Sequence, residues 1–293
     1  MGEKSLFKLT LACLLALIGC VNSGWASDVA DRCQQLYKNG QYEQAFPVCS
    51  KAAEQGVAKA QFNLGCMYDL GKGVQQNHAE AVKWYLKAAD QGVAEAQYNL
   101  AQMYRSGQGV QKDYTEAAKW YLKAAEQGYA EAQFNLGCMY NHGEGVQQND
   151  VEAVKWFRKA AEQGITLAQY GLGRMYELGQ GVQKDYTEAV KWYLKAADQG
   201  HAEARYNLGC RYALGHGVLQ SGVAAANWYY RAGRSYLKEG KKDDALMCVE
   251  KIKKLETVLH LTVPNAFIAD KLLTAIYGDS SPKTSPAPGK IQK

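Results

Sequence analysis

The chain has 293 residues, of which 47% are hydrophobic and 22% charged, with a formal net charge of +5. The length alone allows two globular domains and the charge alone suits a nucleic-acid footprint, but the charge divides: residues 1–26 carry +1 (Lys4, Lys8, Glu3), residues 278–293 carry +2 (Lys283, Lys290, Lys293, Asp279), and +2 is left for the body. That is a mixed, solvated surface without a basic patch, which argues against nucleic acid as a partner.

The first 26 residues read as an export signal: Lys4 and Lys8, then the apolar run Leu9 to Ile18, then small residues. Such a run is too short to span a bilayer, which takes roughly 20 residues as a helix. Two cleavages are open. Leu17-Ile18-Gly19-Cys20 resembles a bacterial lipobox, which would make Cys20 a lipidated first residue and the protein an outer-membrane-anchored lipoprotein facing the periplasm. Gly24-Trp25-Ala26 resembles an ordinary signal-peptidase site, which would start a soluble periplasmic protein at Ser27. Cys20 as one more apolar signal residue also stays open.

From about Asp28 the pattern is helical and almost free of proline; three of the five prolines follow Ser281. A first pair, Ala30 to Lys38 and Tyr42 to Gln55, is joined at Asn39-Gly40. A unit then recurs in steps of 36 residues. Asn-Leu starts at Asn63, Asn99, Asn135 and Asn207, with Gly171-Leu172 in the gap. Trp followed by an aromatic falls at Trp84, Trp120, Trp156, Trp192 and Trp228. Such a period implies stacked helix pairs with one continuous core. In a first helix, Ala132, Leu136 and Tyr140 recur at i, i+4, i+8, and Gly137 lets the partner helix approach. In a second, Ala153, Phe157 and Ala160 face it, with Trp156 adding bulk toward the next unit. Asp113 with Glu116, and Asp185 with Glu188, read as capping boxes. Gly56, Gly92, Gly128, Gly164 and Gly200 stop the second helices. Gly-x-Gly-Val recurs five times, from Gly71, Gly107, Gly143, Gly179 and Gly215; it follows a helix and lacks a strand and a third glycine, so it is a turn and no phosphate cradle.

These residues, Ala-x-x-Asn-Leu-Gly-x-Met-Tyr, Gly-x-Gly-Val and Ala-x-x-Trp-Tyr-x-Lys-Ala-Ala-Glu-Gln-Gly, resemble Sel-one-like repeats, relatives of the tetratricopeptide repeat. The resemblance implies an all-α, right-handed superhelical α/α solenoid acting as an adaptor in protein complexes. The expected organisation is a signal over 1–26, a capping helix pair over 27–56, five repeats over 57–232, a tetratricopeptide-like pair and closing helix over 233–277, and a disordered tail over 278–293. The end pairs differ in spacing: Cys33 to Ala45 and Gly233 to Ala245 span 12 residues where Gly65 to Ala81 spans 16. One helix from Val223 to Glu239 is expected to serve both the fifth repeat and the last pair, with Asp243 to Glu256 as partner. Ala266 to Tyr277, with Ile268, Leu272 and Ile276 on one face, should close the stack.

Cys33 falls where other units hold glycine and Cys49 where they hold the facing aromatic, so the two should meet; in an oxidising compartment a disulfide between them is favoured over two separate buried thiols. Cys66, Cys138 and Cys210 recur in alternate units; at roughly 10 Å per repeat they stand too far apart to bond one another. No Cys-x-x-Cys exists and no two histidines among His78, His142, His201, His216 and His260 share ligand spacing, so neither a metal nor a cofactor is expected. The histidines read as surface or loop residues, the carboxylates Glu54, Asp90, Glu126, Glu162 and Asp198 as solvated helix ends, and the repeated asparagines as bonds between repeats.

Were the tetratricopeptide resemblance to hold, the concave groove would be lined by first-helix positions two before and two and five after the repeated leucine: Phe62, Cys66 and Asp69; Tyr98, Gln102 and Arg105; Phe134, Cys138 and Asn141; Tyr170, Arg174 and Glu177; Tyr206, Cys210 and Ala213. The aromatics are constant. Gln102, Arg105, Arg174 and Glu177 vary, and are the candidates for contact with a partner. The function expected is a non-enzymatic envelope adaptor binding a protein or peptide. The alternative is a β-lactam- or cell-wall-ligand-binding or hydrolysing repeat protein, against which the missing second cysteine of each unit argues.

Overall fold

The computed structural model describes residues 28–258 and 268–278. The signal, Cys20, and the tail beyond Gly278 lie outside them. The described residues hold fourteen helices and no strand. They fall into two compact units, the first ending at Gln148 and the second beginning at Asn149. The first holds α1 (28–38), α2 (Tyr42–Glu54), α3 (Ala58–Leu70), α4 (His78–Asp90), α5 (Ala94–Ser106), α6 (Tyr114–Glu126) and α7 (Ala130–His142). The second holds α8 (Asp150–Glu162), α9 (Thr166–Leu178), α10 (Tyr186–Asp198), α11 (Ala202–Leu214), α12 (Gly222–Lys238), α13 (Lys242–Val258) and α14 (Ile268–Tyr277). Within each unit consecutive helices pack on one another. The shared helix α12 and its partner α13 match the expected Val223–Glu239 and Asp243–Glu256 to within two residues. Pro47 sits inside α2, where it removes one helical hydrogen bond.

Small residues bring the two helices of a repeat together. A Cβ on Gly65 would stand 2.6 Å from the Tyr85 ring, and the same holds for Gly209 against Tyr229 (2.6 Å) and Gly173 against Tyr193 (2.7 Å). In the first hairpin Cys33 and Cys49 occupy these two places and are joined by a disulfide, Cα to Cα 4.8 Å. At the far end α14 packs on α12 and α13: Leu272 is fully buried, and a Cβ on Gly233 would be 2.5 Å from its methyl. Ile268, Ala269, Leu272 and Leu273 form the buried face, with Ile276 at its edge.

Three local features depart from the sequence reading. The second glycine of Gly-x-Gly is more than a turn residue. Gly109 has φ +70°, and a Cβ there would land on the backbone carbonyl of His78, at the start of the preceding repeat's second helix. Gly73, Gly145, Gly181 and Gly217 lie in the same way on Tyr42, Tyr114, Asp150 and Tyr186, so the loop is a contact between repeats.

The capping boxes are only half made. Asp113 Oδ1 accepts from the N–H groups of Thr115 (2.8 Å) and Glu116 (3.0 Å), but Glu116 does not return to Asp113. The Asp113 N–H already donates to the carbonyl of Tyr104 (2.9 Å), which frees Glu116 to pair with Lys119 (2.6 Å). Asp185, Glu188 and Lys191 repeat the arrangement, with Asp185 N–H on Tyr176.

The tryptophans face backward where their packing is described. Trp84 packs against a cluster built from α1, α2 and α3, and Trp228 against one built from α10 and α11. At these two equivalent positions the bulk expected to face the next unit is spent on the preceding repeat.

Repeats are also tied by a glutamine ladder. Gln61, Gln97, Gln133 and Gln169 in the first turns of α3, α5, α7 and α9 are only 4–5% exposed. Each Nε2 donates to a carbonyl in the last turn of the preceding helix, Ala53, Ala89, Ala125 and Ala161, at 3.0–3.1 Å. Gln61, Gln97 and Gln169 accept in turn from the helix-end glutamines Gln91, Gln127 and Gln199 of the next second helix, at 2.7–2.8 Å. In these three glutamines both halves of the amide are used.

Candidate functional site

The aromatic residue two before the repeated leucine packs against the second-helix tyrosine: Phe62 on Tyr85 (6.1 Å between ring centroids), Tyr98 on Tyr121 (5.8 Å), Tyr170 on Tyr193 (5.9 Å) and Tyr206 on Tyr229 (5.3 Å). These aromatics are packing residues. Burial pushes the hydroxyls of Tyr85, Tyr121, Tyr193 and Tyr229 far above the ordinary phenol value, so each keeps its proton and needs an acceptor.

The varied positions supply those acceptors. Tyr85 donates to Cys66 Sγ (3.4 Å) and Asp69 Oδ2 (3.4 Å), and Asp69 is also bonded to His78 (2.9 Å). Tyr121 donates to Gln102 Oε1, while Gln102 Nε2 donates to Tyr98 (3.0 Å). Tyr193 donates to Glu177 (2.5 Å), and Tyr229 to Cys210 Sγ (3.3 Å).

Of the four candidates for partner contact, Gln102 and Glu177 are therefore engaged inside the protein. Arg105 is half-buried and donates to Asn135 in the next repeat (3.4 Å). Arg174 differs: it is exposed and forms no hydrogen bond or ion pair among the described residues.

The asparagines do link repeats, through sulfur in two cases. Asn63 reaches Cys33 Sγ (3.8 Å) and Asn99 reaches Cys66 Sγ (4.0 Å). His201, read as a surface or loop residue, is the N-cap of α11: its Nδ1 accepts from Ala204 N–H (3.2 Å) and its ring stacks on Tyr170 at 4.5 Å.

Arg211 carries a role the sequence reading passed over. It takes the core place of Met67, Met103 and Met175 and is 9% exposed. It bonds Glu177 (3.3 Å) and His216 (3.3 Å) and lies 5.2 Å from the Tyr186 ring centre, which His216 stacks on. The departure from Leu-Gly-Cys-Met to Leu-Gly-Cys-Arg was the available signal. Arg211 also explains Glu177, which is held by two buried partners.

The fifth repeat is also where the varied positions shrink. Ala213 stands where Asp69, Arg105 and Glu177 stand in earlier repeats. Beside it a cavity of about 310 Å³ opens, lined by Cys210, Ala213, Leu214, Tyr229, Leu255, Lys251 and Lys254. Leu214 is 56% exposed at its rim. Lys251 and Lys254 are exposed and pair with no described residue.

The Sel1 repeat profile matches five times, over residues 58–93, 94–129, 130–165, 166–201 and 202–235. The chain is similar to the crystal structure of a Sel1 repeat protein from Oxalobacter formigenes, with 35% identity over 88% of this chain and 99% of that one, at a TM-score of 0.68. It is also similar to c5321, a protective antigen of uropathogenic Escherichia coli with an SLR fold, with 30% identity over 87% of this chain and 62% of that one, at a TM-score of 0.71. The C-terminal part of a TPR repeat-containing protein from Cytophaga hutchinsonii shares the fold at 18% identity and a TM-score of 0.53, covering 87% of this chain and 96% of that one. The comparison with curated proteins gives no match. The chain belongs to the Sel1 repeat family.

Proposed function

We propose that this protein is an adaptor outside the cytoplasmic membrane that binds a protein or peptide partner on the first-helix faces of its repeats and performs no chemistry of its own. The family is a repeat scaffold of the kind that mediates protein–protein interaction. The observation that carries the reading is Arg174. At the other varied positions described above the polar group is consumed by a buried tyrosine or by a neighbouring repeat, whereas Arg174 offers a cation that no described residue pairs. The lack of intrinsic chemistry is supported by the thiols: burial raises Cys66, holds Cys138 near a pKa of about 11 and Cys248 near about 12, so at neutral pH they are protonated and poor nucleophiles. Placement outside the cytoplasm is supported by the signal-like start and by the Cys33–Cys49 disulfide, which persists where the environment is oxidising.

The test is a photo-crosslinking amino acid at position 174 in the producing cell, with position 87 on a second helix as control. Capture of a defined protein from position 174 alone is expected. No capture, or the same products from both positions, refutes the reading. The mass of the mature N-terminus separates lipidation at Cys20 from cleavage before Ser27.

A further inference from the structure

We propose that the cavity beside Ala213 seats a large apolar side chain of the partner, and that Lys251 and Lys254 hold carboxylates flanking that side chain. The partner segment is thus an acidic peptide with an apolar anchor. The assignment rests on the adaptor reading and deepens it.

The cavity walls are apolar. Ala213 and Leu214 come from the end of α11, the Tyr229 ring from α12, and Leu255 from α13, with Cys210 accepting the Tyr229 hydroxyl at 3.3 Å. The one hydroxyl in the wall is therefore already satisfied, and nothing in the floor asks for a polar ligand. About 310 Å³ falls at the small end of ligand pockets, which run from about 300 to 1,000 Å³, and suits a single Phe, Leu or Met side chain with its backbone.

Charge complementarity selects what surrounds that side chain. Lys251 and Lys254 are three residues apart on α13, roughly 4.5 Å along the helix axis at 1.5 Å per residue. Elsewhere the exposed lysines Lys83, Lys119, Lys155 and Lys191 are paired with a glutamate of their own helix, but these two have no such partner among the described residues. Two ammonium groups a turn apart over an apolar pocket match two carboxylates on neighbouring peptide residues. A fatty acid would bring only one carboxylate for the two ammonium groups. Ala213 stands where earlier repeats carry larger polar residues and leaves the space beside α13 open, so the site belongs to the fifth repeat.

The test uses the full chain and a positional-scanning library of fluorescein-labelled, acetylated hexapeptides, read by fluorescence anisotropy. Enrichment of Phe, Leu or Met at one position with Asp or Glu on either side is expected. Binding should weaken severalfold as salt is raised from low ionic strength, because exposed charges are screened beyond roughly 10 Å at 0.1 M. Two variants separate anchor from rim. K251E/K254E should lose about tenfold or more for acidic peptides and gain for lysine-flanked ones. Ala213→Trp should abolish binding of both while thermal melting stays unchanged. Enrichment without acidic flanks, equal binding by K251E/K254E, or saturable binding of dodecanoate with no peptide enriched would overturn the assignment. Crosslinking from position 174 in the K251E/K254E background separates the two readings. Capture retained there while the library enriches no peptide on the unmodified protein leaves the adaptor standing and removes only the pocket; capture lost from the unmodified protein as well removes both.

Discussion

Replacing Gln97 by Glu changes one atom and tests whether the glutamine ladder holds repeats together. The Gln97 amide is 4% exposed, donates to the Ala89 carbonyl at 3.0 Å and accepts from Gln127 at 2.8 Å. A carboxylate keeps the second bond and loses the first, leaving an oxygen facing a carbonyl oxygen with the proton gone. The Ala89 carbonyl retains the Gly92 N–H (3.0 Å), so the cost comes from the buried, uncompensated charge. That is about 3 kcal/mol at pH 7.5, the upper end of the roughly 1–3 kcal/mol of a neutral unsatisfied group. The carboxyl can escape by keeping its proton, which restores a donor to Ala89. Its folded pKa is then raised above the unfolded value of about 4.3, so the penalty is absent below that pH and grows as pH rises through the folded value. Urea unfolding of Gln97→Glu from pH 4 to 8, beside Gln97→Met, checks this. Gln97→Met should lose about 1 kcal/mol at every pH. A Gln97→Glu protein as stable as the unmodified chain at pH 7.5, or a loss independent of pH, would refute the buried-charge account.

Removing the disulfide as Cys33→Ala/Cys49→Ala should cost about 3 kcal/mol from the 16-residue separation it closes, and reduction should lower the melting temperature of the unmodified chain and not of the variant. Gly92→Ala and Gly109→Ala separate conformation from contact. Both glycines have positive φ, but only Gly109 would drive a Cβ into a backbone carbonyl, so Gly92→Ala should cost about 1 kcal/mol and Gly109→Ala more than about 3 kcal/mol in denaturant unfolding. Burial holds the His201 imidazole below its ordinary value of 6.5, with Glu203 and Glu239 opposing and Lys241 assisting. The unfolded chain therefore takes the proton first. This contribution to stability is complete above pH 6.5 and is lost as pH falls beneath it; His201→Asn, which keeps a cap acceptor, should melt with a flatter acid limb. Glu177→Ala strands the buried Arg211 and should cost 3 kcal/mol or more, whereas Arg174→Ala should stay within about 0.5 kcal/mol in the same assay.

The fold was legible because its determinants are local and repeat. Leu64, Leu100, Leu136, Leu172 and Leu208 are each no more than 1% exposed, and a period of 36 residues fixes them without any long-range information. Even the glycine–tyrosine contact could be anticipated from register, since a glycine beside a buried leucine has few other uses. What the period concealed was direction and pairing between repeats. Gly109 looks like any loop glycine until His78 is placed against it, and Glu116 looks like half of a capping box until Tyr104 takes the N–H it would have served. Both depend on what an adjacent repeat presents, which a one-dimensional pattern does not carry.

The candidate site was legible by position and illegible by role, for a reason peculiar to repeats. Variation among units reads as the mark of binding, because a residue that only packs should stay constant. Yet the buried tyrosine hydroxyl is a constant demand with several chemical answers: sulfur from Cys66 or Cys210, an amide from Gln102, a carboxylate from Glu177. A constant need met by interchangeable acceptors produces variation with no partner involved. The same logic cuts the other way at Ala213 and Arg174. An alanine answers no polar demand and leaves a cavity, and an exposed arginine with no internal acceptor answers none either. In a repeat protein, the varied residues that point to a ligand are those whose variation the protein's own interior cannot use, and here they lie in the fourth and fifth repeats.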